Sequence, residues 1–401
     1  MALFDYKHFN GTVFGKYMET IPNPKLNKLL ESGAIVQRND LLATLQDQVG
    51  GNYLSTPIRG NIFGENPVNY DGETDITATS TATYEHSRVV LGRAKAWMER
   101  DFTYDITGGE DPLQTVVAPQ IGEYWNEVYQ ELLISVLKGV FNMSSGANGQ
   151  FVQDHTMDIT GQTNLDNELG KVDVTTLNKT MQKACGDNKS KFAMFICHSV
   201  IGTNLENKKL ITYYKYNDAE GVERTLDLYA WSGKPVLVDD SMPTVDVPAT
   251  YELTSDATVD STKTYYTRSG SAGSYVYTAV TTPVAGSLGS YYEKTAEAYT
   301  AYHSYVLGTG SIEFTDCGAK VPYEADRDPK TKGGESLLYS RRRVCYAPYG
   351  ISFTKASMAS LSPTNAELEN GANWELVHTS TTTVKYIPSK SIAIARIISR
   401  G

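Results

Sequence analysis

The sequence predicts an α+β fold that carries a small all-β insertion, and three observations support this class. Apolar residues recur every three or four positions along 111–142, which predicts one long amphipathic helix. Before it, 51–92 is rich in Thr and poor in bulky apolar residues, which predicts a long polar hairpin. After it, helices alternate with buried strands until 250–298, where Thr, Ser, Tyr and Gly dominate.

The first elements are an arm at 1–50 and the hairpin at 51–92. A two-stranded arm of this polarity cannot bury enough surface to be stable alone. We therefore expect the hairpin to contact another copy of the chain. The charged residues expected to make these intersubunit contacts are Arg59, Asp71, Glu73, Asp75 and Arg88.

The long helix belongs to a segment predicted at 93–174. Pro112 and Pro119 stand near its start, where proline is compatible with a first helical turn. Residues 145–175, which follow the helix, contain the run SSGANGQ and are expected to be rich in loops. The residues predicted to anchor the helix on a sheet are Trp125, Val128, Leu132 and Val136.

A compact helix–strand–helix unit is predicted at 175–249, and it resumes at 299–320 after the insertion. The insertion at 250–298 has too few aliphatic residues for a large core, so paired tyrosines must supply much of it. Residues 321–401 return to strands near the C-terminus. The insertion tyrosines expected to form this core are Tyr265, Tyr266, Tyr291 and Tyr292.

Composition limits the function classes. The chain has 401 residues, 36 basic and 46 acidic side chains and a net charge of −10, so it does not coat nucleic acid by neutralising phosphates. The four cysteines form no CxxC pair and are expected to be reduced thiols. No signal peptide and no membrane-spanning run is present, so we expect no membrane partner.

Catalytic motifs are lacking. The run from Gly11 to Lys16 is one residue short of a phosphate loop, and Tyr17 follows it where Ser or Thr is required. Gly308 and Gly310 lack the third glycine of a dinucleotide fingerprint, and there is no HExxH or GxSxG. We expect no enzyme activity and no cofactor or metal.

Two charged runs near the C-terminal part leave alternatives open. An acidic run could hold a divalent metal, although a solvated loop or salt bridges between subunits is favoured. A basic run could bind phosphate, although pairing with the acidic run or with a neighbouring subunit is favoured. The candidates for intersubunit salt bridges are Glu324, Asp326, Arg327, Asp328, Arg341 and Arg343.

The order of these elements, together with several phrases, resembles the major capsid proteins of tailed bacteriophages, which have the Hong Kong 97-type fold. The phrases are similar to those of phages that infect Gram-positive bacteria, and the resemblance covers nearly the whole chain apart from 250–298. They lie at Gly92–Pro112, Glu123–Trp125, Lys234–Pro243, Tyr302–Phe314, Arg327–Gly334 and Ser362–Val377.

The resemblance implies a Hong Kong 97-like division of the chain. The implied parts are an N-terminal arm (1–50), an extended loop (51–92), a peripheral domain (93–174) with a spine helix (111–142), an axial domain in two parts (175–249 and 299–320), a β-rich insertion domain (250–298) and a return to the peripheral domain (321–401). The insertion is expected to face outward and to be dispensable for the shell.

The implied function is self-assembly through hexamers and pentamers into the icosahedral head of the virion, with procapsid maturation. The head would enclose double-stranded DNA without sequence-specific binding, and assembly would take place in the host bacterial cytoplasm. The hairpin begins near residue 51, which leaves no room for a cleaved scaffolding segment, so a separate scaffolding protein and a portal are expected. Gly51–Leu91 contains no lysine, so no isopeptide cross-link is expected.

Two other functions fit parts of the sequence. An encapsulin-like storage shell would share the fold but enclose a protein cargo. A glycan-binding surface protein is suggested by the tyrosine-rich insertion, but the lack of a secretion signal argues against it.

Overall fold

The structure of the chain is a computed structural model, and it divides the chain into two compact units. The first comprises Met1–His155, Met181–Phe195 and Val306–Ala395, and the second comprises Thr156–Thr180, Ile196–Tyr305 and Arg396–Gly401. The residues that the structure describes are 29, 32–41, 52–60, 67–73, 75–76, 83–100, 118–161, 170–217, 223–256, 258–271, 274–331, 334–379 and 384–401. Most of the predicted arm, part of the hairpin tip and the first seven residues of the predicted spine helix lie outside them.

The described residues form the following helices and strands, numbered in chain order. The helices are α1 Ala118–Phe141, α2 Gly146–His155, α3 Thr176–Cys185, α4 Ser199–Asn207 and α5 Asn365–Glu369. The strands are β1 Ile35–Gln37, β2 Tyr53–Arg59, β3 Thr83–Val89, β4 Leu91–Arg100, β5 Thr156–Asp158, β6 Phe192–Cys197, β7 Ile211–Asn217, β8 Glu223–Trp231, β9 Lys234–Val238, β10 Thr244–Val247, β11 Thr250–Leu253, β12 Tyr265–Ser269, β13 Val276–Ala279, β14 Tyr292–Ala296, β15 Tyr299–Gly308, β16 Ile312–Asp316, β17 Tyr323–Asp328, β18 Glu335–Pro348, β19 Ile351–Phe353, β20 Trp374–Leu376 and β21 Ile394–Arg400.

The first unit contains a five-stranded sheet in the order β1–β16–β18–β17, in which β4 also pairs with β18. β1 is parallel to β16, and the other pairs are antiparallel. The fourteen-residue β18 is the central strand of this arrangement, since it pairs with β16 near its C-terminal end, with β4 over its first ten residues and with β17 over its first six. β18 therefore links β4, the strand before the spine helix, to the C-terminal part of the chain.

Helix α1 packs on this sheet through a cluster that contains Ile121, Trp125, Tyr323 and Leu338. The indole Nε1 of Trp125 donates a hydrogen bond to Ser340 Oγ at 3.0 Å, so the one polar atom of this buried ring is satisfied. The stripe of buried residues continues along the rest of α1, so the same face of the helix packs against the core.

The C-terminal half of α1 approaches α5 and β20 so closely that only glycine fits at residue 139. A Cβ at Gly139 would lie 1.9 Å from the carbonyl oxygen of Leu368 and 2.3 Å from Trp374 Nε1. Trp374 Nε1 donates to the same Leu368 carbonyl at 2.7 Å. Helix α5 begins with a capping box formed by Thr364 and Glu367. The close approach of α1 to α5 and β20 therefore requires that residue 139 have no side chain.

The segment 145–175 differs from the loop-rich prediction, because it contains helix α2, Gly146–His155. This helix buries only Phe151 and His155, whose rings stack at 4.2 Å. The His155 Nδ1 lies 2.8 Å from the carbonyl oxygen of Ile394. Two buried residues give too weak a periodic signal to reveal a helix in a run that also contains two glycines.

A second sheet has eight strands in the order β5–β21–β15–β6–β9–β8–β7, with β10 also paired to β15. Helix α4 buries Ile201, Gly202 and Leu205. The combination of helices and strands in both units confirms the predicted α+β class.

The predicted insertion segment forms a separate four-stranded sheet in the order β11–β14–β12–β13. The strands that flank it, β10 and β15, are antiparallel neighbours in the larger sheet, with Val247 opposite Tyr299. The chain therefore leaves and re-enters the larger sheet at adjacent positions.

Candidate assembly surface

The root of the hairpin is fixed to its own subunit. β2 and β3 pair in register from Tyr53 opposite Val89 to Arg59 opposite Thr83. His86 Nε2 lies 3.0 Å from the carbonyl oxygen of Ile351, and the amide of Ser87 donates to Ser352 Oγ at 3.1 Å. These bonds join β3 to β19 of the same chain, so the base of the hairpin is part of the first unit.

A buried ion cluster strengthens this root. Arg88 is 3% exposed, and its Nε and Nη2 donate to one carboxylate oxygen of Glu313 at 2.9 and 2.5 Å. Arg88 Nη1 also donates to Thr56 Oγ1. The other Glu313 oxygen accepts from Arg38 at 2.9 Å, and Arg38 also binds Asp40. One buried carboxylate thus holds the hairpin, β16 and the segment after β1 together.

The structure places Arg88, which was predicted to contact another subunit, in contacts within its own chain. Its guanidinium is enclosed within the first unit and is bonded to Glu313 and Thr56. The hairpin was predicted as one intersubunit element, whereas its root is bonded to β19 and β16 of the same chain. Glu313, Arg38 and His86 were missed, and the available signal was an acidic residue, Glu313, between the apolar Ile312 and Phe314 of β16.

Burial and charge shift two pKa values at this root. Burial, together with the neighbouring Arg88, lowers the pKa of His86 to about 3, so the imidazole is neutral in the folded chain at neutral pH. The hydrogen bond from Arg38 lowers the pKa of Asp40 to about 2. At neutral pH the root therefore holds a neutral His86 imidazole and an ionised Asp40 carboxylate.

The distal part of the hairpin differs from the root. Arg59, Asp71, Glu73 and Asp75 are all exposed, as far as the described residues show. Beside them, Tyr70 and Ile76 are 91% and 76% exposed. Both side chains are therefore accessible to another molecule.

The charged runs of β17 and β18 come together within the chain. Arg341 Nη1 and Nη2 both donate to Glu324 Oε2 at 3.0 Å. Asp328 accepts from the amide of Lys330 and from Thr331 Oγ1, which lowers the pKa of its carboxyl. Asp326 accepts from the amide of Arg327 at 2.8 Å. Within the acidic run, Glu324 therefore pairs with Arg341, and Asp328 accepts the hydrogen bonds of a turn.

A cavity of about 530 Å³ lies beside these strands, and most of its charged lining is basic. Arg93 and Arg342 face each other across β4 and β18. Arg342 donates to the hydroxyl of Tyr323 at 2.5 Å, and Arg93 donates to Asn365 Oδ1 at 2.7 Å. The other charged side chains at this cavity, which we call the basic cavity, are Lys320, Glu324, Arg341 and Arg343.

The predicted anchors of the spine helix lie at its packed face. Trp125, Leu132 and Val136 are 3%, 1% and 0% exposed. Val128 is half-buried and packs against the cluster around Trp125. The aromatic neighbours extend the packing, since Tyr124 meets Trp97 edge-on at 5.6 Å.

The insertion tyrosines divide between the two faces of their sheet. Tyr265 and Tyr291 form a cluster with Leu288, and the Tyr265 hydroxyl donates to Asp256 at 2.8 Å. Tyr266 and Tyr292 are paired on the other face because side chains alternate along a strand. Tyr292 is buried and Tyr266 is half-buried.

Two tyrosines that were not predicted complete this second face. Tyr251 and Tyr277 stack at 4.0 Å with their planes 9° apart. The same face carries Arg268, whose guanidinium lies over the ring of Tyr292 at 4.7 Å. The signal that could have found them was a tyrosine within each short strand run of the insertion, YELT for Tyr251 and YVYT for Tyr277. Most ring faces here are occupied by other rings or by the arginine.

Among the described residues, no three His, Cys, Asp or Glu side chains are grouped so that they could hold a metal ion. All four cysteines are free and buried. Among the helices that the structure describes, none combines the length and the apolar character needed to cross a membrane.

Comparisons with known proteins identify a relative that spans the chain. The major capsid protein of Bacillus phage SPP1 is 24% identical over 354 residues, which cover 88% of each chain. No protein-family model matches the chain.

Solved phage capsids are more loosely similar. The capsid of Cyanophage Pam1 is 10% identical with a TM-score of 0.44 and covers 100% of this chain and 94% of its own. The capsid of Ralstonia phage GP4 is 9% identical with a TM-score of 0.45 and covers 79% and 83%. Because both TM-scores are below 0.5, the similarity to capsid proteins depends on the relative from Bacillus phage SPP1. That relationship confirms the resemblance found in the sequence: this chain is similar to the major capsid proteins of tailed phages.

Proposed function

We propose that this chain is the major capsid protein of a tailed phage and forms the wall of an icosahedral head around double-stranded DNA. The observation that carries the proposal is the relative named as a major capsid protein, whose match covers 88% of both chains. A match of that extent concerns the whole architecture rather than one shared domain. It agrees with the predicted Hong Kong 97-like fold.

The geometry of the hairpin supports the same function. A wall built from copies of one chain needs elements that reach from one copy to the next. The hairpin has a root fixed by the Arg88–Glu313 ion pair and a distal part whose Tyr70 and Ile76 are exposed. This combination supports a contact between copies, because the root fixes the direction of an arm whose end has apolar surface to bury.

We further propose the division of labour that the resemblance implies. Copies would meet as hexamers and pentamers, a separate scaffolding protein and a portal would direct closure, and assembly would take place in the host cytoplasm. DNA would be enclosed without sequence-specific contacts, which is compatible with a net charge of −10. The insertion domain would face outward.

Negative-stain microscopy of the expressed full-length chain, with and without a co-expressed scaffolding protein, tests the proposal. We expect closed icosahedral shells in at least one of the two conditions. A chain that remains monomeric and folded in both conditions would contradict the capsid function. Deleting 63–74 should leave a folded subunit that does not close shells, and the full-length chain is the matched control.

The contents of the shells separate the capsid from its nearest rival. Shells isolated from phage-infected cells should hold nuclease-protected DNA of uniform length. Shells filled with a defined protein cargo instead would favour an encapsulin-like storage function. Binding of the unassembled chain to a glycan array would favour the glycan-binding alternative, for which the mutual packing of the insertion tyrosines gives little support.

A further inference from the structure

The two faces of the insertion sheet differ in how their tyrosine hydroxyls are bonded. On the face that forms the small core, the Tyr265 hydroxyl donates to Asp256 and accepts from the amide of Asp260, and the Tyr291 hydroxyl accepts from the amide of Val284. The second face, which we call the tyrosine face, consists of Tyr251, Tyr266, Tyr277 and Tyr292. None of its four hydroxyls forms a hydrogen bond with the described residues, and none is buried, so all four are open to a ligand.

The rings of the tyrosine face cover one another. Tyr251 meets Tyr266 at 5.0 Å and Tyr277 meets Tyr292 at 5.4 Å, with interplanar angles of 70° and 73°, while Tyr251 stacks on Tyr277. These contacts occupy ring faces and leave ring edges and hydroxyls at the surface. A flat ligand that stacks on an aromatic face, as a nucleobase does, therefore finds little area to contact.

One cation is fixed on the same face. Arg268 lies opposite Tyr277 on the neighbouring strand, and its guanidinium carbon is 4.3 Å from the ring centroid of Tyr275 and 4.7 Å from that of Tyr292. The side chain is exposed and forms no salt bridge or hydrogen bond with the described residues. A guanidinium held only by rings keeps its N–H donors for a ligand.

The charge of the insertion limits the kind of ligand that Arg268 can bind. Residues 250–298 contain five acidic and three basic side chains, so their summed charge repels a polyanion. Lys294, the other cation on this face, already binds Glu297. A single fixed guanidinium therefore matches one carboxylate rather than a chain of phosphates.

Apolar side chains extend the tyrosine face. Leu253, which lies opposite Tyr292 on the adjacent strand, is 55% exposed, and Tyr275 is 41% exposed. Aromatic residues and arginine are enriched at the centre of protein interfaces. The tyrosine face therefore offers a peptide apolar contact area, hydroxyl donors and one guanidinium.

A proline-rich peptide has the matching chemistry. In the polyproline II conformation the backbone makes no internal hydrogen bonds, so its carbonyl oxygens are free to accept. Proline has no N–H, so such a chain needs donors from its partner and no acceptors. Tyrosine hydroxyls and arginine can both donate, and aromatic surfaces recognise this conformation in other proteins.

We propose that the tyrosine face binds an extended, proline-rich segment of another protein. Tyrosine hydroxyls donate to the backbone carbonyls of that segment, and Arg268 binds an acidic side chain next to its prolines. The inference is independent of the proposed function, because it concerns the insertion whether or not the chain builds shells. It gives a role to a segment whose flanking strands, β10 and β15, pair with each other directly.

Binding of a labelled peptide to the full-length, unassembled chain tests the inference. The probe is a fluorescein-labelled oligoproline with a central glutamate. The control peptide has the same length and the same glutamate, with Gly and Ser in place of Pro. We expect saturable binding of the probe by fluorescence anisotropy, with an affinity about ten-fold or more above that of the control peptide. Equal affinities, or no binding of either peptide, would overturn the inference.

Single substitutions test whether the peptide binds at the tyrosine face. Arg268→Gln removes the cation and should weaken binding of the probe by about ten-fold. Tyr277→Phe keeps the ring contacts with Tyr251 and Tyr292 but removes a hydroxyl, and it should weaken binding by about three-fold. Thr267→Ala, at an exposed residue of the same strand on the opposite face, is the control and should bind as the wild type does. Wild-type affinity in both Arg268→Gln and Tyr277→Phe would place the peptide elsewhere and overturn the inference.

Competition separates this ligand from other classes. Unlabelled oligoproline with a central glutamate should displace the probe, whereas maltoheptaose and inorganic polyphosphate at fixed ionic strength should not. Displacement by maltoheptaose would assign the tyrosine face to carbohydrate, displacement by polyphosphate would assign it to polyanions, and either result would overturn the inference. A chain with a Gly/Ser linker in place of 250–298 should not bind the probe; if it does bind, the site lies outside the insertion and the inference is wrong.

Discussion

Arg88 and Glu313, which lie 225 residues apart in the sequence, form a buried ion pair in which Nε and Nη2 of the arginine share one carboxylate oxygen. A pair at this depth is held in place by its hydrogen bonds, and removal of one partner leaves a buried charge without compensation. The pair therefore makes the hairpin root part of the fold of the first unit rather than an appendage to it.

Removing the carboxylate should destabilise the subunit more than removing the arginine. Glu313→Gln leaves Arg88 charged and enclosed, and we expect the free energy of unfolding to fall by about 3–5 kcal/mol. Arg88→Met should cost less, because Glu313 keeps its bond to Arg38. Urea unfolding of the unassembled subunit measures both values. The exposed Arg59→Met is the control and should stay within about 0.5 kcal/mol; equal losses for all three variants would contradict the account.

The stability of the subunit should depend on pH through His86. Its folded-state pKa of about 3 lies below the ordinary value of 6.5, so between these values the unfolded chain binds a proton that the folded chain does not. The free energy of unfolding should therefore fall as pH is lowered from 6.5, by up to about 1.4 kcal/mol per pH unit. The decrease should continue until pH reaches about 3.

The His86→Gln variant isolates this effect. Glutamine keeps a donor for the Ile351 carbonyl but does not titrate, so the slope between pH 4.5 and 6.5 should become shallower. The window stays above the range in which Asp40, whose pKa is about 2 in the folded chain, contributes. His378→Gln, at a half-buried histidine, serves as the control. An unchanged slope in His86→Gln would show that this imidazole is not the titrating group.

Truncation of the spine helix should be costly at its packed face. Leu132 is 1% exposed, and Leu132→Ala should lower the free energy of unfolding by about 2–5 kcal/mol through the cavity it leaves. Glu127→Ala, on the exposed face of the same helix, should have little effect. A loss below about 0.5 kcal/mol for Leu132→Ala would place that face in solvent and contradict the packing.

The insertion should be removable without loss of the parent fold. Val247 and Tyr299 are cross-strand partners, so a short Gly/Ser linker in place of 250–298 needs to span only the distance between neighbouring strands. We expect the shortened chain to fold and to form shells, as judged by circular dichroism and electron microscopy. A folded variant that no longer forms shells would show that the module itself joins neighbouring copies.

Local patterns in the sequence predicted more of this structure than pairings between distant segments. The spine helix was predictable because the spacing from Ile121 to Val140 repeats within one continuous segment. β18 illustrates the limit, since its position between β4 and β17 depends on partners that no local pattern identifies.

The candidate site was only partly predictable for the same reason. The acidic tip was visible as composition, and the basic run at 341–343 was visible as a charge pattern. The surroundings of the basic run were not predictable, because Arg93 and Lys320 line the same cavity from separate segments of the sequence. The bond from Arg88 to Glu313 was not predictable because the two residues lie 225 positions apart in the sequence.

Burial of the four thiols has a consequence for the chemistry of the assembled particle. Desolvation raises the pKa of Cys197, Cys317 and Cys345 to about 12, and it also raises the pKa of Cys185. At neutral pH only about one thiol in 10⁵ would then be the reactive thiolate at each of these three sites. Such groups resist oxidation by air and alkylation by maleimides, so a particle built from this chain could leave a reducing cell without forming sulfenic acids or adventitious disulfides.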